Sequence, residues 1–376
     1  MPDFGFDEII DRRGTSSVKW DKYAGRDILP LWVADMDFMA PPAIVEALQH
    51  RIRHGIFGYT HPPAELTRTV VSMLAAEYGW QVESEAILWL PGLVTGLNLA
   101  CRAVCDKGEN VVTAVPIYPP FLSAPLHSGL SVSKAALVRK NGRWQYDFAV
   151  LEHAILPQSR LFLLCNPHNP TGRVLDRAEL DTIAQLCEAH DLFICSDEIH
   201  CGLLLDGGKR HVPIASLSPQ IEKRTITLMA PSKTFNIPGL SVSFAIIPDP
   251  GLRRRFEAAM AGIVPHVNAL GYTAALAAYR DCSQWHLDLI DYLAKNRDLV
   301  ERAIPEMGLA MAHVEATYLA WIDARHIENP VARFENAGVG LSDGADFGSP
   351  GFVRLNFGCP RSRLAEALQH MKSALR

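Results

Sequence analysis

The stretch TITLMAPSKTFNIPGLSVS, Thr225 to Ser243, decides how this chain is read. Ile226 to Met229 is a short apolar run ended by a turn signal, the pattern of a buried strand. Ala230-Pro231-Ser232-Lys233-Thr234 follows at its carboxyl end, and Pro238-Gly239 marks a second turn. An ordinary lysine is a solvated surface cation. Lys233 instead follows a core strand and has apolar flanks. Desolvation there lowers the amine pKa, and a neutral amine can form a Schiff base with an aldehyde.

Other apolar runs end in polar or aromatic groups in the same way. Val111 to Val115 is rich in β-branched residues and leads into Pro116-Ile117-Tyr118-Pro119-Pro120-Phe121. The prolines force an irregular loop that holds Tyr118 at the strand end. Leu161 to Leu164 runs into Cys165-Asn166-Pro167-His168-Asn169-Pro170-Thr171-Gly172, whose double Asn-Pro fixes a turn. Leu192 to Cys195 runs into Ser196-Asp197-Glu198-Ile199-His200. An aspartate at that depth costs free energy unless it meets a cation. His200 is read either as a site residue or as a satisfied structural histidine.

Leu88 to Leu90 leads into Pro91-Gly92-Leu93-Val94-Thr95-Gly96-Leu97 and then an amphipathic helix, Leu97 to Val104. A glycine turn at a helix start either caps the helix or offers backbone N–H groups to an anion. Between these strands lie helical stretches such as Asp176 to His190, and Val242 to Ile247 adds a further strand. Alternating strands and helices predict an α/β fold with a mostly parallel sheet and right-handed crossovers. In such a sheet the strand carboxyl ends face one crevice. Val94, Tyr118, Asn169, Asp197 and Lys233 therefore collect around one point.

The flanks supply the rest. Trp32-Val33-Ala34-Asp35-Met36-Asp37-Phe38 places two acids among large apolar residues. Pro41-Pro42 opens a helix with Ile44, Val45, Leu48 and Ile52 on its apolar face. Phe57-Gly58-Tyr59-Thr60 follows, and then a helix with Leu66, Val70, Met73 and Leu74 inward, stopped by Gly79. Beyond Pro250 the chain is mainly helical, with Leu289, Leu293 and Val300 on one long helix. Tyr318 to Ile322 and Gly351 to Phe357 are strands of a second domain. Arg354, in mid-strand, needs an anion or a path to solvent.

With 376 residues the chain is long enough for two packed domains. Acids and bases are interspersed and the net charge is -5, which excludes the basic face of a nucleic-acid binder. No apolar stretch is long enough to span a bilayer, and the start lacks a secretory pattern, so the expected location is the cytoplasm. Eight scattered cysteines contain no CxxC pair. Cys101 and Cys105 read as small core residues, and no metal is expected.

Together these stretches resemble the fold-type-I enzymes that use pyridoxal 5'-phosphate (PLP), the aspartate aminotransferase superfamily. SKTFNIPGL, WVADMDF and DEIH are most similar to its carbon–sulfur lyase branch, the cystathionine β-lyases, and NPHNPTG matches the superfamily's NPxNPTG. The resemblance covers nearly the whole chain. It implies a seven-stranded-type sheet with helices on both faces, over 45–280. A smaller α+β domain is built from 1–44 and 281–376.

The resemblance also implies a role for each residue. Lys233 holds PLP covalently, and Asp197 keeps its ring nitrogen protonated. Tyr118 stacks on the ring, Asn169 bonds the phenolic oxygen, and His200 lies near it. Leu93 and Val94 N–H groups and the Ser232 hydroxyl bind phosphate. Tyr59 reaches the phosphate of the second subunit of a homodimer. Arg354 grips the carboxylate of an amino-acid substrate, and Asp35 lies in the segment over it. Aminotransferases commonly carry an arginine eight residues after the lysine; this chain has Ser241, as the lyase branch tends to lack that arginine. The activity implied is β-cleavage of cystathionine or a related L-cysteine S-conjugate. The rivals are an aminotransferase, which needs a 2-oxo acid, and a non-catalytic ligand-binding module.

Overall fold

Thr225–Met229 is a wholly buried strand in the computed structural model, which describes residues 4–376. Its sheet has seven strands, in chain order β1 Ile87–Leu90, β2 Asn110–Val115, β3 Ser131–Ala136, β4 Ser159–Cys165, β5 Phe193–Asp197, β6 Thr225–Met229 and β7 Ser243–Ile246. The spatial order is β1-β7-β6-β5-β4-β2-β3. Pairs β2–β3, β2–β4, β4–β5 and β5–β6 are parallel, and β7 runs antiparallel between β6 and β1. The α/β expectation is met, with β7 as the one reversed strand.

Both sheet faces are covered, so the strands read as continuous apolar runs. Val111, Leu161, Leu163, Cys195 and Ile226 point to one face, under helix Leu93–Val104 and helix Pro250–Met260. Val112, Ala114, Phe162, Leu164 and Ile194 point to the other, under helix Arg177–Ala189. The alternation is the period-2 pleat. Truncating fully buried Phe162 to Ala would cost about 3–5 kcal/mol. Helix Leu93–Val104 starts four residues earlier than its apolar periodicity suggests. It lies close on the sheet because Gly96 has no side chain: a Cβ there would sit 2.8 Å from the Leu228 side chain.

A second, antiparallel sheet holds β8 Ala310–Met311, β9 Leu319–Asp323, β10 Ser342–Asp343 and β11 Phe352–Asn356, in the order β8-β9-β11-β10. Helices Ser283–Glu306 and Arg361–Ala374 pack on it through Leu289, Leu293, Val300, Leu364 and Met371. This core is continuous with Leu203, Phe235, Ile237 and Ala274 beside the large sheet. The two sheets are thus fixed to each other by one apolar body.

Helix Pro42–His54 departs from its expected packing. Ile44 is buried, but Val45 and Ile52 face solvent. Met39, Ile56, Phe57 and Tyr59 are exposed beside them in sequence. Among the described residues no helix is long and apolar enough to cross a membrane, and no group of three His, Cys, Asp or Glu is placed to hold a metal.

Candidate active site

Four parallel strands deliver the site. Tyr118 follows β2, Asn169 follows β4, Asp197 ends β5, and Ser232-Lys233 follow β6. They line one cavity of about 510 Å³ with Gly92, Leu93, Val94, His200 and, from the second sheet, Arg354. Nine residues singled out from the sequence are therefore brought together: Leu93, Val94, Tyr118, Asn169, Asp197, His200, Ser232, Lys233 and Arg354.

Lys233 is half-buried, and its Nζ donates to the Ala34 carbonyl at 2.5 Å. Burial pulls its pKa down to about 8; Asp35 and Asp197 oppose the fall and Arg354 adds to it. Asp197 is 4% exposed. One of its oxygens accepts from Ile199 N–H at 3.1 Å. Among the described residues no cation lies within ion-pair distance of it. Burial raises its pKa to about 7, with Ile199 N–H and Lys233 opposing. A carboxylate held this way is completed by a cation entering the cavity.

Arg354 is 5% exposed and also has no carboxylate partner among the described residues. Its Nη1 donates to Asn169 Oδ1 at 2.9 Å. Its Nη2 donates to Trp32 O at 2.8 Å and Ser342 Oγ at 3.3 Å, and its Nε has no partner among the described residues. The Phe347 ring lies 4.7 Å from the guanidinium. Burial lowers its pKa to about 10. The fork is held in place by neutral acceptors at the cavity wall, the geometry that suits a carboxylate.

His200 is buried with Nδ1 unpartnered among the described residues, and burial together with Lys233 and Arg354 pushes its pKa down to about 3. It is a neutral imidazole at any working pH. Burial raises the Tyr118 phenol, which stays protonated. Helix Leu93–Val104 has no side-chain cap at Gly92, so its first N–H groups are free for an anion at the cavity wall.

Two expected residues lie elsewhere. Asp35 does not line the cavity. Its carboxylate accepts from Arg12 at 3.0 and 3.2 Å. An anion facing Arg354 would repel the substrate carboxylate. The WVADMDF segment instead turns the oxygens of Trp32 and Ala34 inward. Tyr59 is fully exposed, on a separate surface hollow with His266 and Asn268.

Sequence reasoning missed the supports. Tyr318 Oη donates to Ala34 O at 2.9 Å, so that carbonyl receives both Tyr318 and Lys233. Asn356 Nδ2 bonds Val33 O and Asp35 O, and Asn236 bonds Met36 O and Phe38 O. Only the position of Asn356, two residues after Arg354, offered a signal.

The lysine, the unpaired acid, the uncapped helix start and the unpaired arginine fit an anionic aldehyde cofactor with a basic ring nitrogen. The family described as aminotransferase class I and II matches residues 26–371, and the chain belongs to it. Within it, the chain is 40% identical to the cystathionine beta-lyase PatB of Bacillus subtilis, over 98% of this chain and 99% of that one. The crystal structure of OvoB superposes with a TM-score of 0.97 at 47% identity, covering 99% of both chains. Cystalysin from Treponema denticola, whose crystal structure contains a pyridoxal 5'-phosphate cofactor, superposes with a TM-score of 0.95 at 32% identity, covering 100% of this chain and 99% of that one.

Proposed function

We propose that the chain is a PLP-dependent carbon–sulfur β-lyase that cleaves cystathionine or a related L-cysteine S-conjugate to a thiol, pyruvate and ammonia. One observation carries the reading: Lys233, Asp197 and Arg354 share a cavity in which, among the described residues, neither the acid nor the arginine has an ion-pair partner. The similarity to the cystathionine beta-lyase PatB selects the lyase over the aminotransferase.

The site holds PLP as follows. Lys233 would hold its aldehyde carbon, and Asp197 its ring nitrogen. Tyr118 would cover the ring, and Asn169 and neutral His200 would face the phenolic oxygen. Leu93 and Val94 N–H groups and Ser232 would hold the phosphate. When bound, PLP supplies an electron sink for charge developing at the substrate Cα.

Arg354 receives the α-carboxylate on its fork, pre-set by Asn169, Trp32 O and Ser342. The freed Lys233 amine takes the proton from Cα. A pKa lowered to about 8 leaves an appreciable unprotonated fraction at neutral pH. Trp32 and Ala34 form the wall of the cavity beside Lys233 and Arg354.

Arg354 comes from the proposed smaller domain, 1–44 with 281–376, and Lys233 from the larger, 45–280. Substrate bridges the two. The protein works as a homodimer in which Tyr59 of a second copy completes the phosphate site. Exposed Met39, Val45, Ile52, Ile56, Phe57 and Tyr59 within one short stretch support this reading. Eight free cysteines support a reducing, cytoplasmic setting.

The deciding experiment is incubation with L-cystathionine without any 2-oxo acid. Sustained pyruvate release is expected. A single turnover that stalls until a 2-oxo acid is added would replace the lyase by the aminotransferase.

A further inference from the structure

We infer that the outer part of this cavity selects substrates whose sulfur substituent carries a positive charge; the inference rests on the lyase reading above. Six charged residues line the cavity: Lys22, Asp197, Lys233, Asp343, Asp346 and Arg354. The reaction uses Asp197, Lys233 and Arg354. The other three have no task in it.

Their charges do not balance. Lys22 Nζ lies 3.7 Å from Glu335 and 4.5 Å from the centre of the Trp32 ring, so its charge is engaged. Asp343 accepts one hydrogen bond, from Ala345 N–H at 2.9 Å. Asp346 makes no hydrogen bond, and neither acid has a cation within ion-pair distance, among the described residues. Both are exposed at the cavity mouth.

The cavity wall places them near the arginine that receives the substrate. Ser342 bonds Arg354, and Phe347 stacks on it. Asp343 and Asp346 stand next to those two residues and line the same cavity without pairing to Arg354. One segment, 342–347, therefore fixes the α-carboxylate site and presents two unpaired carboxylates beside it. A substrate anchored on Arg354 sends its sulfur substituent past this segment. A cation there gains two partners, and an anion meets two like charges. Because the acids are exposed, solvent limits the preference to about fivefold.

The test uses the PLP-loaded enzyme and three L-cysteine conjugates of similar size: S-aminoethyl, S-hydroxyethyl and S-carboxymethyl. kcat/KM for pyruvate release should fall in that order, with the aminoethyl compound about fivefold above the hydroxyethyl one. Added salt should shrink the ratio. In the double variant Asp343→Asn, Asp346→Asn the ratio should approach one. Asparagine keeps the oxygen that accepts from Ala345, and taking a ratio cancels any general damage to the enzyme. Equal values for the cationic and neutral conjugates, or a ratio unchanged in the double variant, would overturn the inference. If neither these three nor L-cystathionine yields pyruvate, the lyase reading fails instead. Binding of the same compounds, followed by the cofactor's visible absorbance, then decides the rim by the same ranking.

Discussion

Two groups of buried charge lie close together in this molecule and are treated in opposite ways. In the first, Asp37 is 1% exposed and accepts from Lys19 Nζ at 2.9 Å, Arg12 Nη1 at 2.7 Å and Trp20 Nε1 at 3.0 Å. Burial alone would raise its pKa, but Lys19, Trp20 and Arg12 hold it below the usual carboxylate range. In the second, Asp197 and Arg354 are also buried, and among the described residues neither has an opposite charge within ion-pair distance. The arginines repeat the contrast. Arg173, 3% exposed, is 2.6 Å from Glu179 and 3.3 Å from Glu315, whereas Arg354 has only neutral acceptors. A protein that only had to fold would neutralise both sets. Charges left unpaired at this depth are a stability cost accepted for binding a small molecule.

The widest separation between the two groups is expected from Lys233→Ala. Pyruvate-forming turnover should fall at least about 1,000-fold, because the base at Cα is gone. The visible absorbance of the bound cofactor should change as well. Retained activity with normal absorbance would remove Lys233 from the site and end the comparison. Asp37→Asn tests the other side. It leaves Lys19, itself 1% exposed, without its nearest carboxylate, and should destabilise the fold by about 3–5 kcal/mol. The urea midpoint should drop at unchanged slope. A neutral outcome would mean that the knot of Arg12, Lys19, Asp35 and Asp37 does not hold the segment over the cavity.

The cavity half of this contrast was legible in the sequence, and the knot was not. Strand ends are short-range features: Asp197, Asn169 and Lys233 each follow an apolar run, and parallel topology gathers such ends by rule. The knot joins Arg12 and Lys19 to Asp37 across 25 and 18 residues without periodicity, so nothing local announces it. The same gap hid the partner of Asp35. Its place beside the cavity was readable, but its direction depends on Arg12. The exposed face of helix Pro42–His54 fails differently. Val45 and Ile52 satisfy an apolar stripe, and helical period alone cannot say whether a stripe meets the chain's own core or a second molecule.

A smaller effect sharpens the comparison because its sign is reversed. Asp197→Asn should lower kcat/KM of the loaded enzyme about 100-fold by removing the charge that holds the ring nitrogen. In protein stripped of PLP, the same change should stabilise the fold by about 2 kcal/mol at about pH 8, since it deletes an unpaired buried charge. Asp37→Asn should destabilise under identical conditions. Should Asp197→Asn destabilise the stripped protein, the acid is structurally paired and its raised pKa has been misread.

The pH dependence of these two variants is the smallest and most discriminating effect. The folded-state pKa of Asp197 lies at about 7, above the ordinary value of 3.8. Its favourable contribution is therefore complete below about pH 4 and is lost as pH rises through about 7. The advantage of Asp197→Asn over wild type should accordingly grow from near zero at about pH 4 to its full size at about pH 8. Asp37 is shifted the other way, below 3.8. Its contribution is present above the ordinary value and is lost as pH falls through the lowered one. The deficit of Asp37→Asn should then be full at neutral pH and shrink only in acid. Urea midpoints of the two variants and wild type, taken on PLP-free protein, should give a difference curve for Asp197→Asn that rises between about pH 4 and about pH 8, and one for Asp37→Asn that is flat there and changes only below about pH 4. Parallel curves would show that the two aspartates are buried under the same terms.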